Sequence, residues 1–336
     1  MTNNFETLID INNLTKKYKN FVAVDSINLK IRKGELFGLL GPNGAGKTTI
    51  INMLATISKP SSGKVHIQGI DLQDQNNIRK KIGIIFQDPS LDDELTAREH
   101  LDFHGRLYHM PKTTRRERIS EILQLMDLDT KKDLQVKTFS GGMKRRLEIA
   151  RGLMHKPNIL FLDEPTIGLD PQTRRIIWEH IKNLIHRQKV TIILTTHYME
   201  EADYLCDRIA IIDHGKIIAM DTPDNLKNVL LEDKIILIIS DVKKLQQLLS
   251  HLSWIKHIES FPNENKIIIK VDNYEKNIPV ILKIATTNDI TIDSVKIEKN
   301  TLEDVFLYYT GRKIREEKVS PEDIMRNLIR VYKKRN

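Results

Sequence analysis

The chain has 336 residues, 40% hydrophobic and 29% charged, which describes a globular protein with a large core and room for about two domains. No apolar run approaches the ~18 residues that a spanning helix needs, and the opening MTNNFETLID lacks a basic segment leading into an apolar one, so the expected compartment is the cytosol. The net charge of +8 invites a nucleic-acid or membrane-surface reading, but residues 311–336 alone carry nine Lys/Arg and four Asp/Glu, a difference of +5. Most of the excess thus sits in the C-terminal tail, where a solvated face and contact with anionic lipid are both open. The single cysteine, Cys206, lies in an apolar, helical context that suits an inert buried thiol.

In chain order, Ile9 to Leu14 reads as a strand, and Ile27, Leu29 and Ile31 alternate with polar residues as a half-exposed strand does. Leu36 to Leu40 is a continuous apolar run, expected of a strand buried on both faces. GPNGAGKTT follows at 41–49 and leads into a helical pattern. Val65, Ile67 and Ile70 suggest one short strand, and Ile82 to Phe86 a buried one ending at Gln87. Residues 96–128 read as helix with a break at Met110-Pro111, inside a helical insertion of about 91–155. Another helix starts near Ser140, and Ile159 to Leu162 is a buried strand running into Asp163-Glu164-Pro165. A helix from Pro171 to about Arg187 precedes the buried strand Val190 to Leu194 and His197. Ile209 to Ile212 and Ile217 to Ala219 form a hairpin, and Thr222-Pro223-Asp224 starts a helix. Alternating strands and helices predict an α/β domain over 1–228.

Beyond Glu232 the expected order is strand 234–240, helix 242–252, strand 255–260, strand 266–271, helix 278–286 and strand 290–297. This βαββαβ order is a split βαβ, ferredoxin-like α+β pattern, over a domain of 229–312 that ends in a helix from Leu302 to Tyr309. The tail, 313–336, reads as a basic amphipathic helix with Ser320 as cap and Pro321 in the first position.

The phosphate-loop reading of Gly41, Pro42, Asn43, Gly44, Ala45, Gly46, Lys47, Thr48 and Thr49 rests on context. A buried strand, a glycine loop and a helix come in that order, so backbone N–H groups and the positive helix end face one anion. Lys47 adds a point charge at the outer phosphates and Thr48 a hydroxyl for Mg²⁺. Transfer of a phosphoryl group to water also needs a metal-holding carboxylate and a placed water. Asp163, at the carboxyl end of a buried strand, suits the Mg²⁺ shell, and Glu164 beside it can polarise the attacking water. Gln87 can reach metal or water through its amide oxygen, and His197 can hold the γ-phosphate. Standing alone, Gln87 and His197 are weaker candidates than the Asp-Glu pair.

These motifs, in this order, resemble the nucleotide-binding domain of ABC transporters over residues 8 to about 225. The family signature LSGGQ appears as FSGGM at 139–143, the metal-binding strand as ILFLDE at 159–164, and GLD at 168–170 resembles the D-loop. By the same resemblance Gln87 matches the Q-loop, His197 the switch histidine, and Tyr18 the aromatic that stacks on adenine. The segments LDDELTAREHL, SGGMKRRLEIARGL and TLEDVFLYYTGRKIRE are similar to the daunorubicin-resistance-like exporters, in which Met143 replaces the usual glutamine.

The resemblance implies an ATP- and Mg²⁺-dependent ATPase subunit of an exporter of drug- or lipid-like compounds, bound peripherally to the cytoplasmic face of the cell membrane through a separate permease. It implies a head-to-tail homodimer in which Ser140, Gly141 and Gly142 of one chain close over the phosphate loop of the other. The helical insertion is where such proteins touch their membrane partner. An alternative, an ABC-type ATPase acting on nucleic acid or ribosomes, draws on the basic balance. Its relatives carry long coiled coils or two nucleotide sites, neither of which is present, so no nucleic-acid partner is expected. A nucleotide-binding regulator without turnover fits poorly with Asp163, Glu164 and His197 all in place.

Overall fold

The computed structural model describes residues 6–88, 90–230, 233–271 and 274–311; the expected tail helix lies outside them. The described chain divides into two compact units, with the division after Pro223.

The first unit opens with the long antiparallel pair β1 (Thr7–Tyr18) and β2 (Phe21–Arg32). Then come β3 (Leu36–Leu40), α1 (Lys47–Leu54), β4 (Ser62–Ile67), β5 (Ile70–Asp71), α2 (Gln75–Arg79) and β6 (Ile82–Ile85). The helical insertion holds α3 (Ala97–Leu107), α4 (Lys112–Leu125) and α5 (Gly141–Gly152), and α3 starts at a capping box of Thr96 and Glu99. The unit continues through β7 (Ile159–Asp163), α6 (Pro171–Gln188), β8 (Thr191–Thr196), α7 (Met199–Leu205), β9 (Arg208–Asp213) and β10 (Lys216–Asp221), and α8 (Pro223–Asn228) crosses the division.

Two sheets result, one of order β2-β1-β4-β5 and one of order β10-β9-β3-β8-β7-β6. In the larger, β9, β3, β8, β7 and β6 are parallel, and every residue of β3, β7 and β8 is buried. That burial is the physical reason for the apolar runs Leu36–Leu40, Ile159–Leu162 and Ile192–Leu194. It also brings the residues after β3, β6, β7 and β8 out at one edge, where open α/β sheets place their ligands.

The second unit contains β11 (Asp233–Ile239), α9 (Val242–Leu249), β12 (Ile255–Phe261), β13 (Lys266–Val271), α10 (Tyr274–Thr287), β14 (Ile292–Glu298) and α11 (Leu302–Thr310). Its sheet runs β12-β13-β11-β14 with every neighbouring pair antiparallel, the split βαβ order expected from the sequence. Ile235, Leu237, Ile239, Ile267, Ile269 and Val271 point into a core closed by Leu245, Leu249, Ile281 and Ala285.

Several local expectations need correcting. Val65 to Ile70 is two paired strands, because Gln68 and Gly69 both take positive φ and turn the chain back. The short helices α2 and α7 carry too few apolar residues for a periodic signal; α7 has acids at Glu200, Glu201 and Asp203. The helix expected from Ile278 starts at Tyr274, so Pro279 lies inside it. Cys206 is buried as expected, its Sγ so close that a Cβ on Gly38 would lie 2.6 Å away, and burial pushes its thiol pKa well up.

Candidate nucleotide site

The loop between β3 and α1 is shaped by close backbone contacts. A Cβ on Gly41 would lie 2.2 Å from the Ile212 carbonyl, and one on Gly46, at φ 104°, would lie 2.5 Å from the Ala23 carbonyl. Only glycine lets those strands approach so near. The Gly41 N–H donates to the Thr196 carbonyl (3.3 Å), and the Gly215 N–H donates to the Ala45 carbonyl (3.0 Å). No side chain caps α1, so its first N–H groups are available to an anion. Pro42 and Ala45 are buried within the loop, whereas Asn43, Gly44 and Thr48 are exposed.

Lys47 lies across the loop, donating to the Gly41 and Pro42 carbonyls at 2.7 and 2.9 Å. Its ammonium is 3.5 Å from Glu164 Oε1, and Glu164 Oε2 lies 3.0 Å from His197 Nδ1. Asp163 Oδ1 accepts from Thr48 Oγ1 (3.1 Å) and Thr195 Oγ1 (2.5 Å). Lys47, Asp163 and Glu164 are 4%, 2% and 6% exposed. Charges so buried are costly unless paired or hydrogen-bonded: Lys47 and Glu164 pair with each other, and Asp163 accepts two hydroxyl hydrogen bonds.

The two neighbouring acids are pushed in opposite directions. Burial raises the Asp163 carboxyl pKa, and hydrogen bonds from Thr195 and Thr48 offset only part of that rise. Burial also pushes on Glu164, but the His197 hydrogen bond and the Lys47 charge outweigh it and hold the carboxyl below its usual value. Glu164 therefore stays anionic beside the loop. Its backbone takes φ 47°, an uncommon conformation for glutamate, and its N–H is held by the Thr195 carbonyl and hydroxyl at 3.2 and 3.0 Å.

Among the described residues, Lys47, Thr48, Asp163, Glu164 and His197 thus form one contact set. Gly41 and Pro42 join it through the Lys47 hydrogen bonds, whereas Gln87, Thr49, Tyr18 and Ser140–Gly142 lie outside it. Gln87 is exposed just past β6, with Thr49 half-buried on α1. Tyr18 is 50% exposed at the end of the β1–β2 pair, its ring 4.9 Å from Lys16 Nζ. The same pair of strands touches Gly46 through Ala23. Ser140 caps α5 by accepting the Met143 N–H (3.3 Å), Gly141 lies against Leu169, and Gly142 is pressed against Thr173 of α6.

Residues 24–167 match the ABC transporter family, and residues 222–310 match the C-terminal domain of DrrA1-3-like ATP-binding proteins. The chain is 38% identical to the linearmycin resistance ATP-binding protein LnrL of Bacillus subtilis (strain 168), over 92% of its own length and 100% of that protein. It belongs to the ATP-binding proteins of ABC transporters. It is an ATPase and the ATP-binding subunit of an export system. The daunorubicin/doxorubicin resistance ATP-binding protein DrrA of Streptomyces peucetius is 37% identical over 90% of this chain and 92% of that one. Among solved structures, a dimeric post-hydrolysis state of the ATP-binding cassette MJ0796 with ADP and Pi has a TM-score of 0.58 at 31% identity, covering 64% of this chain and 98% of that chain.

As an ABC ATP-binding subunit, the chain offers a magnesium ion a hydroxyl and a carboxylate 3.1 Å apart, Thr48 and Asp163. Hard oxygens in small number suit an ion that keeps waters and takes phosphate oxygens as further ligands. Two further residues brace this site, and no motif in the sequence marks them. Thr195 ties Asp163 to the Glu164 backbone, and the available signal was its place beside Thr196 at the end of a buried strand before His197. Arg145, buried on α5, donates to the Asp163, Glu164 and Pro165 carbonyls. Its signal was an arginine three residues before Glu148 on the otherwise apolar side of a helix.

Proposed function

We propose that this subunit energises a separate membrane permease by closing and opening as a head-to-tail homodimer around two ATP molecules. The observation that carries the reading is the contact set of Lys47, Thr48, Asp163, Glu164 and His197 beside one phosphate loop, in a chain whose signature, Ser140–Gly142, stands outside that set. The loop is then half a site, and a second chain supplies the other half.

In each half, the Gly41–Thr49 backbone and Lys47 hold the phosphates, and Tyr18 stacks on the adenine. Thr48, Asp163 and the Gln87 amide would hold Mg²⁺, which supplies charge neutralisation between the outer phosphates. Glu164 polarises the attacking water, and His197 orients Glu164 and meets the γ-phosphate. Ser140–Gly142 of the second chain approach the same phosphate with the open helix end of α5. The γ-phosphate therefore favours the closed dimer, and its loss releases it.

The names of the relatives, resistance proteins for linearmycin and for daunorubicin/doxorubicin, support a drug-like cargo that crosses through the permease. No helix among the described residues is long and apolar enough to cross a membrane. A subunit of this kind reaches the membrane by docking its helical insertion on the permease at the cytoplasmic face. The test is to replace Glu164 by glutamine, which should keep ATP binding, lower turnover by ~10²–10³-fold and trap the dimer. Pulled down with ATP from detergent-solubilised membranes, the trapped chain should carry a polytopic membrane protein. Recovery with RNA or DNA and no membrane protein would sink the transport reading.

A further inference from the structure

Two catalytic segments are fastened to the signature helix through one guanidinium. Arg145 is 6% exposed. Its Nε donates to the Pro165 carbonyl (2.7 Å), and its Nη1 donates to the Phe86 carbonyl (2.7 Å) and to Glu148 Oε2 (2.9 Å). Its Nη2 donates to the Asp163 and Glu164 carbonyls at 3.2 and 3.3 Å. All five N–H donors of the side chain are therefore used, four of them on backbone oxygens at the carboxyl ends of β6 and β7.

Glu148, 2% exposed, turns its other oxygen to the Ser90 N–H (3.0 Å). One turn further along α5, Arg151 donates to the Ser90 carbonyl (2.7 Å) and Oγ (2.6 Å). The segment that contains Gln87 is thus held at Phe86 by Arg145 and at Ser90 by Glu148 and Arg151. The turn that presents Glu164 is held by the same Arg145. Along the helix, Arg145 is about 7.5 Å from the Ser140 end.

A buried ion pair is a poor device for stability, because desolvation consumes most of what the attraction gives. A pair of apolar side chains would fill the same volume. What an apolar pair cannot do is hold two backbone segments to the helix through directed hydrogen bonds, which the rigid guanidinium fork does. We propose that Arg145, oriented by Glu148, is a positioning residue that couples the Gln87 segment and the Asp163–Pro165 turn to the signature helix α5. Contact at Ser140–Gly142 and alignment of Gln87 and Glu164 are then gained or lost together. This rests on the roles proposed above for Gln87, Glu164 and the signature.

The experiment uses the full chain, with steady-state ATPase, equilibrium binding of a fluorescent ATP analogue and amide exchange across 84–95. Arg145→Lys keeps the charge but not the fork, and should lower kcat by ~10–100-fold while KM and nucleotide affinity stay within about threefold. Glu148→Gln can accept only one of its two hydrogen bonds, so kcat should fall less and exchange at Ser90 should rise. Adding Gln87→Ala to either variant should cost less than about twofold more, because Gln87 is already displaced. Unchanged kcat in both variants, a kcat loss matched by lost nucleotide affinity, or full multiplication with Gln87→Ala each overturns the proposal. If Arg145→Lys fails to fold, Glu148→Gln and its cycle with Gln87→Ala decide the matter alone. A wild-type chain that hydrolyses no ATP would instead defeat the ATPase reading itself, an outcome separate from all of these.

Discussion

The two units of this protein use sheet and helix in opposite ways. In the first, parallel strands buried at every residue run to a common edge, and just there Lys47, Asp163 and Glu164 are sealed from water. In the second, antiparallel strands alternate inward and outward residues, and among its described residues Asn277 is the one buried polar side chain. The difference is physical. Fully buried parallel strands leave their terminal backbone groups and the following side chains in a low-dielectric crevice, where charges interact strongly and their pKa values move. A half-exposed sheet provides a rigid body and little leverage on charge. Chemistry therefore belongs to the first unit, and the second is expected to act through its surfaces.

The sharpest way to break this view is to divide the nucleotide site between chains. Lys47→Ala removes the phosphate contact, and Ser140→Arg places a bulky cation at the signature; each alone should lower ATPase activity by ~100-fold or more. Mixed together, the two variants should form a head-to-tail dimer with one intact site, made of the unaltered loop of one and the unaltered signature of the other. Activity should reappear on mixing and grow with protein concentration, as a coupled phosphate-release assay would record. A mixture no more active than its parts would mean that the first unit carries a complete site by itself.

How legible all this was in the sequence depended on the range of the interaction. The Gly41–Thr49 loop announces itself because its glycine spacing and flanking apolar runs are local, and the split βαβ of the second unit follows from strand and helix periods alone. Thr195 and Asp163 meet across 32 residues, and Arg145 reaches Phe86 across 59, so no window of periodicity contains either contact. Glu164 is visible as an acid after a buried strand; its positive φ and its depressed pKa are not, and the latter comes from His197 and Lys47, both distant in the chain. The hairpin of β4 and β5 looks like one strand in the sequence because Gln68, a residue with no turn preference, takes the left-handed conformation next to Gly69.

A smaller effect on the same site tests whether buried hydrogen bonds, and not only charges, set the first unit apart. Thr195→Val keeps the shape of the side chain but removes the donor to Asp163 and one acceptor of the Glu164 N–H. The loss should cost about 1–3 kcal/mol of stability in denaturant titration. Turnover should drop ~10-fold as the catalytic turn loses its alignment. Thr195→Ser, which retains the hydroxyl, should restore both. Equal defects in the two variants would point to packing of the methyl group instead.

The least disturbing change to catalysis should be a severe one elsewhere. Leu237 is 1% exposed in the core of the second unit, where it packs with Leu245, Leu249 and Ile281. Its replacement by alanine leaves a cavity worth about 2–5 kcal/mol. If the units are as distinct in role as their sheets imply, calorimetry should show one transition moving to lower temperature while ATPase activity below that transition stays within about twofold of wild type. A parallel fall in kcat would mean that the half-exposed sheet braces the nucleotide site after all, and the division of labour would have to be redrawn around whatever contact transmits the defect.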